Sequence, residues 1–263
     1  MIRRMGSGIT PGAEDSAARA YDAIAPVYDE FTAHHDYELW LGNLLPALNH
    51  LGLQGTRLLD VGCGTGKSFL PMLDRGWAVT ACDVSPAMLA IAQGKARTGA
   101  RLFTADMRSL PALGDFDLVW ALDDAVNYLL TAADLRLALA SMGRNLAPRG
   151  LLVFDLNTLA TYREFFAETS VVERNGTRMT WHGQARTDAV AGSICEAHFE
   201  VDGGTVPPHI HRQRHFPESE VRAGLRATRL ECLAVFGHGE DAIFQEPLDE
   251  ARHTKAIYVA RAS

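Results

Sequence analysis

The chain has 263 residues, 47% hydrophobic and 22% charged, with a formal net charge of −7. This is ordinary globular composition with enough apolar residues for a large core. It excludes a nucleic-acid binder held by counterion release, and no stretch approaches the ~18 apolar residues of a membrane span.

Taken in chain order, residues 1–14 are polar and glycine-rich and are expected to be a disordered tail. Two arginines without an apolar run do not make a secretory signal, so the cytoplasm is the expected location. Residues 15–56 read as a helical lid. One helix runs from Asp15 to about Tyr28 with Ala20, Ile24 and Val27 on one face, and a second from Asp36 to Leu51 with Leu39, Trp40, Leu44, Leu45 and Leu48 at the 3.6 period. Gly52 and Gly55 end it.

A strand–helix alternation follows over 57–164. Strands are expected at Arg57–Val61, Ala78–Cys82, Leu102–Ala105, Phe116–Ala121 and Leu151–Leu156. Helices are expected at Lys67–Arg75, Pro86–Arg97 (capped by Ser85) and Ala132–Asn145, the last closed by Pro148 and Gly150. The order argues for an α/β fold with a Rossmann-like parallel sheet and helices on both faces. Residues 165–216 read as a small antiparallel β insert, with strands at Thr177–Gln184, Ser193–Val201 and His209–Phe216 separated by Asn-Gly and Gly-Gly turns. A helix at Pro217–Thr228 and an edge hairpin of Glu231–Phe236 and Thr254–Ala260 complete the core over 217–263. Cys63, Cys82, Cys195 and Cys232 lack a C-x-x-C spacing and read as reduced, buried thiols.

The most informative stretch is Leu58–Gly66, LLDVGCGTG. A buried strand delivers three glycines at spacing two ahead of a helix, so a ligand can touch the main chain. A dinucleotide loop would read G-x-G-x-x-G. Here the spacing is G-x-G-x-G, and Asp60 at the strand end repels a pyrophosphate and suits an ammonium group. Asp83 ends the second strand and can accept from ribose hydroxyls. Asp106 ends the third and can accept from an adenine amine. Three acids at successive strand ends form one crevice at the C-terminal edge of the sheet.

With VTACDVSPAML, LFTADMRSLP, FDLVWALDDAVNYL and LAPRGLLVFDLN following in order, residues 57–157 resemble class I S-adenosylmethionine-dependent methyltransferases, in particular the small-molecule, amino-sugar N-methyltransferase type. The resemblance implies S-adenosylmethionine as cofactor. It places the loop of Gly62, Cys63, Gly64 and Gly66 against the methionine part and Asp60 toward the amino end through water or a main-chain group. Asp83 would take the ribose, Val84 and Met88 would pack on adenine, Asp106 and Met107 would bond it, and Leu122 would begin the cover of the sulfonium. Tyr21-Asp22 and Tyr28-Asp29 look like the Y-D pair that precedes this loop in such proteins, as a lid over the cofactor.

Catalytic candidates are Asp123, which can orient an amine or accept a proton, and Tyr128 and Tyr21, whose hydroxyls can point at the acceptor. Asp124 caps a helix in the plainer reading. Related enzymes usually carry histidine near Tyr128, and no histidine lies in this loop. His209, His211 and His215 read as a solvated or substrate-facing strand and not as a metal site, since no further ligand stands at the right spacing. Trp181, Phe199 and Phe216 read as core of the insert. Asp155 and Asn157 fit either an acceptor-facing or a turn role. The expected function is methylation of a small molecule, at nitrogen before oxygen, with a non-catalytic cofactor sensor and a nicotinamide dehydrogenase as rivals. No nucleic-acid or membrane partner is expected, and homo-oligomers are compatible with the chain.

Overall fold

In the computed structural model, residues 14–184, 187–203, 209–238 and 243–263 are described. The expected tail lies outside them except Glu14, which opens helix α1, Glu14–Phe31. Helix α2, Tyr37–His50, starts where the Asp36 side chain accepts from the Leu39 amide, and it buries Leu41, Leu44 and Leu48 completely. Each such leucine is worth about 2 kcal/mol in burial.

The alternation then reads β1 (Arg57–Val61), α3 (Leu70–Asp74), β2 (Ala78–Asp83), α4 (Pro86–Ala96), β3 (Ala100–Thr104), β4 (Phe116–Ala121), α5 (Ala132–Gly143) and β5 (Leu146–Asn157). After α6 (Leu159–Arg163) come β6 (Thr169–Arg174), β7 (Thr177–Gly183), β8 (Ile194–Val201) and β9 (His209–Arg214). The chain closes with α7 (Glu218–Ala227), β10 (Leu230–His238), β11 (Phe244–Gln245) and β12 (Lys255–Ala262).

The main sheet has eight strands in the order β11-β10-β12-β5-β4-β1-β2-β3. The five from β5 to β3 are parallel, and β12, β10 and β11 are antiparallel additions at the other side. Strand side chains alternate between two cores. Val119 and Ala121 of β4 pack with α5 and α7, whereas Leu118 and Trp120 pack with α2, α3 and α4. Both faces are covered, which is why β5 is a continuous apolar run from Leu151 to Phe154. The chain enters at β1, moves outward to β3 and returns to β4, so a crevice opens at the carboxyl ends of β1 and β4. A separate antiparallel sheet, β6-β7-β8-β9, packs Trp181, Ala197 and Phe199 against Ile24 and Ala25 of α1.

Several elements differ from the sequence expectation, among them α6 and β11, which it did not contain. Helix α3 begins at Leu70 and not at Lys67, because Lys67 and Ser68 are drawn into loop contacts described below. Pro148 and Gly150 do not close a helix; they lie within β5, where its pairing with β4 shifts register between Phe116 and Leu118. The small sheet has a fourth strand, β6. It is joined to β7 through Asn175 and Gly176 at φ 51° and 79°, a two-residue turn that matches strand twist. Among the described residues no helix is long and apolar enough to cross a membrane, and all four cysteines are free thiols.

Candidate functional site

The glycine loop leaves β1 and is tied to β2 by the Gly62 and Cys63 amides, which donate to the Cys82 carbonyl at 2.8 and 3.0 Å. Asp83 fixes the loop from below. Its carboxylate accepts from the Gly64 amide and from the Ser85 amide, each at 2.8 Å. Burial raises the Asp83 pKa, and the amides of Ser85, Gly64 and Val84 oppose that rise.

Around this loop lies a cleft. Gly62, Cys63, Gly64, Asp83, Val84, Asp106, Met107 and Leu122 line it, with Tyr21 and Tyr28 from the lid and Asp123 and Tyr128 from the loop after β4. Three expected residues do not line it. Asp60 is buried beneath the loop and accepts from the Ser68 hydroxyl at 2.5 Å, and it is Ser68 that reaches the cleft. Burial pushes the Asp60 carboxyl up to about 7. At Gly66 a Cβ would stand 2.8 Å from the Phe69 ring, so its role is helix–loop packing. Met88 is fully buried beside Ile24 and Ala25, under the lid and away from the cleft. Asp106 does line it, and it is also clamped by the Arg108 guanidinium at 2.6 Å.

The two Tyr-Asp pairs divide their labour. The tyrosine rings stand edge to face, 6.0 Å apart, over the cleft. The aspartates turn away and fasten α1. Asp22 accepts from the Ser85 hydroxyl at 2.5 Å and the Ala87 amide at 3.1 Å. Asp29 accepts from the Thr65 hydroxyl at 2.6 Å and pairs with Lys95. Lys67 adds a bond to the Thr32 hydroxyl at 3.0 Å.

Beyond β4 the backbone is strained. Asp123 and Asp124 both adopt left-handed φ, 61° and 56°. Asp155, at the end of β5, holds this turn by accepting both amides at 2.6 and 3.0 Å. Lys255 of β12 donates to all three carboxylates, at 3.2 Å for Asp123, 3.2 Å for Asp124 and 2.9 Å for Asp155. His35 and the Tyr37 hydroxyl reach Asp123 at 3.0 and 3.2 Å. Burial alone would raise Asp123, but Lys255 and His35 outweigh it and hold the carboxyl well below the usual range. Asp124 moves the other way, because burial and its two acidic neighbours outweigh Lys255. It is no simple cap: its side chain bonds Gln213, Asn157 and Lys255 and makes no capping bond.

The histidine reading needs correction. His211 and His215 are buried to 1% exposure, so these two are not solvated; the outer face of β9 carries Ile210 and Arg212 instead. His211 meets the Tyr128 hydroxyl at 2.8 Å, and His215 bonds Glu250 at 3.0 Å. Burial lowers His211 to about 4, which keeps the ring neutral. The β4 loop carries no histidine of its own, yet the fold brings two to it from distant segments. His35, Tyr37, Lys67, Gln213 and Lys255 were not identifiable as site residues by local pattern, whereas His211 fits the substrate-facing reading of its strand. The available signals were faint: polar His211 and Gln213 alternate with exposed Ile210 and Arg212 on β9, and Lys255 heads the otherwise apolar run AIYVA. Trp181, Phe199 and Phe216 are core side chains, the last in the main core and not in that of the small sheet.

Comparison with known proteins bears on this cleft. The profile of the family described as Methyltransferase domain matches residues 58–150. The Bacillus subtilis (strain 168) protein YqeM, named as a methyltransferase, is 30% identical over 213 residues, covering 78% of this chain and 84% of that protein. A dTDP-3-amino-3,4,6-trideoxy-alpha-D-glucopyranose N,N-dimethyltransferase of Streptomyces venezuelae is 27% identical over 213 residues, covering 78% and 89%. Among solved structures, an S-adenosylmethionine-dependent methyltransferase from Clostridium acetobutylicum ATCC 824 shares the fold with a TM-score of 0.73 at 21% identity, over 92% of this chain and 99% of that one.

Proposed function

The chain belongs to the S-adenosylmethionine-dependent methyltransferases, and from that membership we propose that it methylates a small metabolite at an amine nitrogen. The observation that carries the amine reading is the state of Asp123, a carboxylate on the cleft wall held ionised by Lys255 and His35. An aspartate so stabilised is a poor base and a good acceptor of N–H bonds.

The other candidate bases are equally mismatched to an alcohol. Burial raises Tyr21, Tyr28 and Tyr128, so their hydroxyls keep their protons. Behind Tyr128, the neutral His211 fixes the hydroxyl without the basicity to ionise it. A neutral amine needs no base before attack. It needs its N–H bonds held so that the lone pair faces the methyl group, which Asp123 and Tyr128 can do.

Bound S-adenosylmethionine supplies a methyl group already activated on a sulfonium. For its binding we assign Asp83 to the ribose hydroxyls, Val84 and Met107 to the adenine, Asp106 to the adenine amine, and Gly62 to Gly64 with Ser68 to the methionine part. Tyr21 and Tyr28 exclude water above it. The cytoplasm remains the proposed location, and a small molecule the proposed partner.

The test is a metabolite screen with methyl-labelled cofactor, read by NMR of the product. The expected product carries an N-methyl group, and its formation is insensitive to EDTA. A methoxy product would overturn the amine reading and leave the enzyme class standing.

A further inference from the structure

A second cavity of about 270 Å³ opens on the far side of Asp123. Tyr37, Leu122 and Asp123 line both this cavity and the cofactor cleft, so they form a shared wall. Its inner end is charged: Asp123 and Asp155 meet Lys255 there. Its outer end is apolar and ring-walled by Leu39 and Trp40, the latter edge-on to His238 at 6.4 Å between centroids. Leu39 is 54% exposed at this rim.

The hydrogen-bonding groups at the inner end bear on the choice of ligand. The Lys255 ammonium has three N–H donors and spends them on three carboxylates. No donor of that cation remains for a phosphate or carboxylate ligand. Asp123, held ionised on the wall of the cavity, offers a carboxylate acceptor there, so the inner end suits an N–H-bearing group. Aromatic faces at the mouth favour a ring or a cation. The cavity accommodates a frame of drug-fragment size.

We propose that this cavity seats the body of the methyl acceptor, and that the acceptor is an amine on an apolar, ring-bearing frame. The amine end lies at Asp123, on the wall shared with the cofactor cleft, and the frame runs along Leu122 toward Trp40 and Leu39. This rests on the amine reading above and adds the class of molecule.

The test uses protein saturated with S-adenosylhomocysteine and titrated calorimetrically with 2-phenylethylamine, against 3-phenylpropionate as the anionic counterpart. The amine is expected to bind and the anion not. Trp40→Ala is expected to weaken the amine at least tenfold with S-adenosylhomocysteine affinity unchanged. Should Trp40→Ala fail to fold, Leu39→Ser at the exposed rim serves instead, with about a threefold loss expected. Asp123→Asn should erase the preference for the amine over 2-phenylethanol. Absence of amine binding to protein that holds S-adenosylhomocysteine, binding of the anion as well, or indifference to the rim variants would overturn the proposal. Those results differ from failure of the underlying reading, which would appear as a methoxy product in the labelled screen.

Discussion

Gly64 and Gly66 stand two residues apart and answer to different neighbours. Both have positive φ, 52° and 89°. A Cβ on Gly66 would collide with Phe69 at 2.8 Å, whereas one on Gly64 would meet only the Tyr28 ring edge at 3.9 Å and otherwise enter the cleft. Gly66→Ala should therefore cost stability, by about 1–3 kcal/mol in thermal unfolding. Gly64→Ala should lose about 1 kcal/mol but weaken S-adenosylhomocysteine by tenfold or more in calorimetry. Equal binding losses in both variants would contradict this division. Asp60 makes a pH prediction. Its folded pKa, about 7, lies above the unfolded value of 3.8, so the folded state binds the extra proton between them. The stability it contributes is complete below pH 3.8 and is lost as pH rises through 7, on the order of 4 kcal/mol at the ~1.4 kcal/mol carried by each pKa unit. Asp60→Asn should flatten that slope in ligand-free denaturant melts taken between pH 5 and 8. An unchanged slope would show that Asp60 ionises freely. The residue types of the strand-end acids were legible in sequence, but their directions were not. Asp60 pairs in register with Ala81, two residues short of Asp83 at the end of β2, so it sits below the loop, where Ser68 bonds it.

At the scale of elements, α1 is fastened beside the cleft by its acids, and we propose that it acts as a lid. Asp29 bridges the loop residue Thr65 and Lys95 of α4. The Lys95–Asp29 pair is more than a third exposed at the aspartate, so screening limits it. Together the two contacts are worth about 1 kcal/mol. Asp29→Ala should thus raise the dissociation rate of S-adenosylhomocysteine about fivefold in stopped-flow traces. No change in that rate would mean the lid does not open for release. Most elements were readable because each has its own period or cap: Asp36 opening α2, and Ser85 opening α4 by accepting from the Met88 amide. The misses have different causes. Lys67 fits a helix pattern, but tertiary contacts with Thr32 claim its side chain first. Strand β6 has weak alternation, and its best sign was the Asn175-Gly176 turn that follows it.

The whole molecule binds its small sheet tightly to the larger one. Asn127 donates to the Arg214 carbonyl at 2.9 Å, and Gln213 of β9 accepts from Asn157 of β5 at 2.8 Å. With α1 packed on the same sheet, the two parts share a core and polar bonds. Calorimetric melting should show one transition whose van't Hoff and calorimetric enthalpies agree. Two resolved transitions would mean the small sheet folds apart. The parallel order of the main sheet followed from the strand–helix alternation, and the glycine loop marked where a ligand would lie. The polar cluster behind that loop could not be read this way, since it joins positions 35, 123, 155, 211 and 255, and no local period links them. That dispersion carries a consequence for synthesis on the ribosome. Asp123 and Asp155 emerge a hundred residues or more before Lys255, and β12 must insert between β10 and β5 to deliver it. Until β12 has paired, the three acids of this turn lack their lysine partner, so the site cannot take its final arrangement before the last strand is in place.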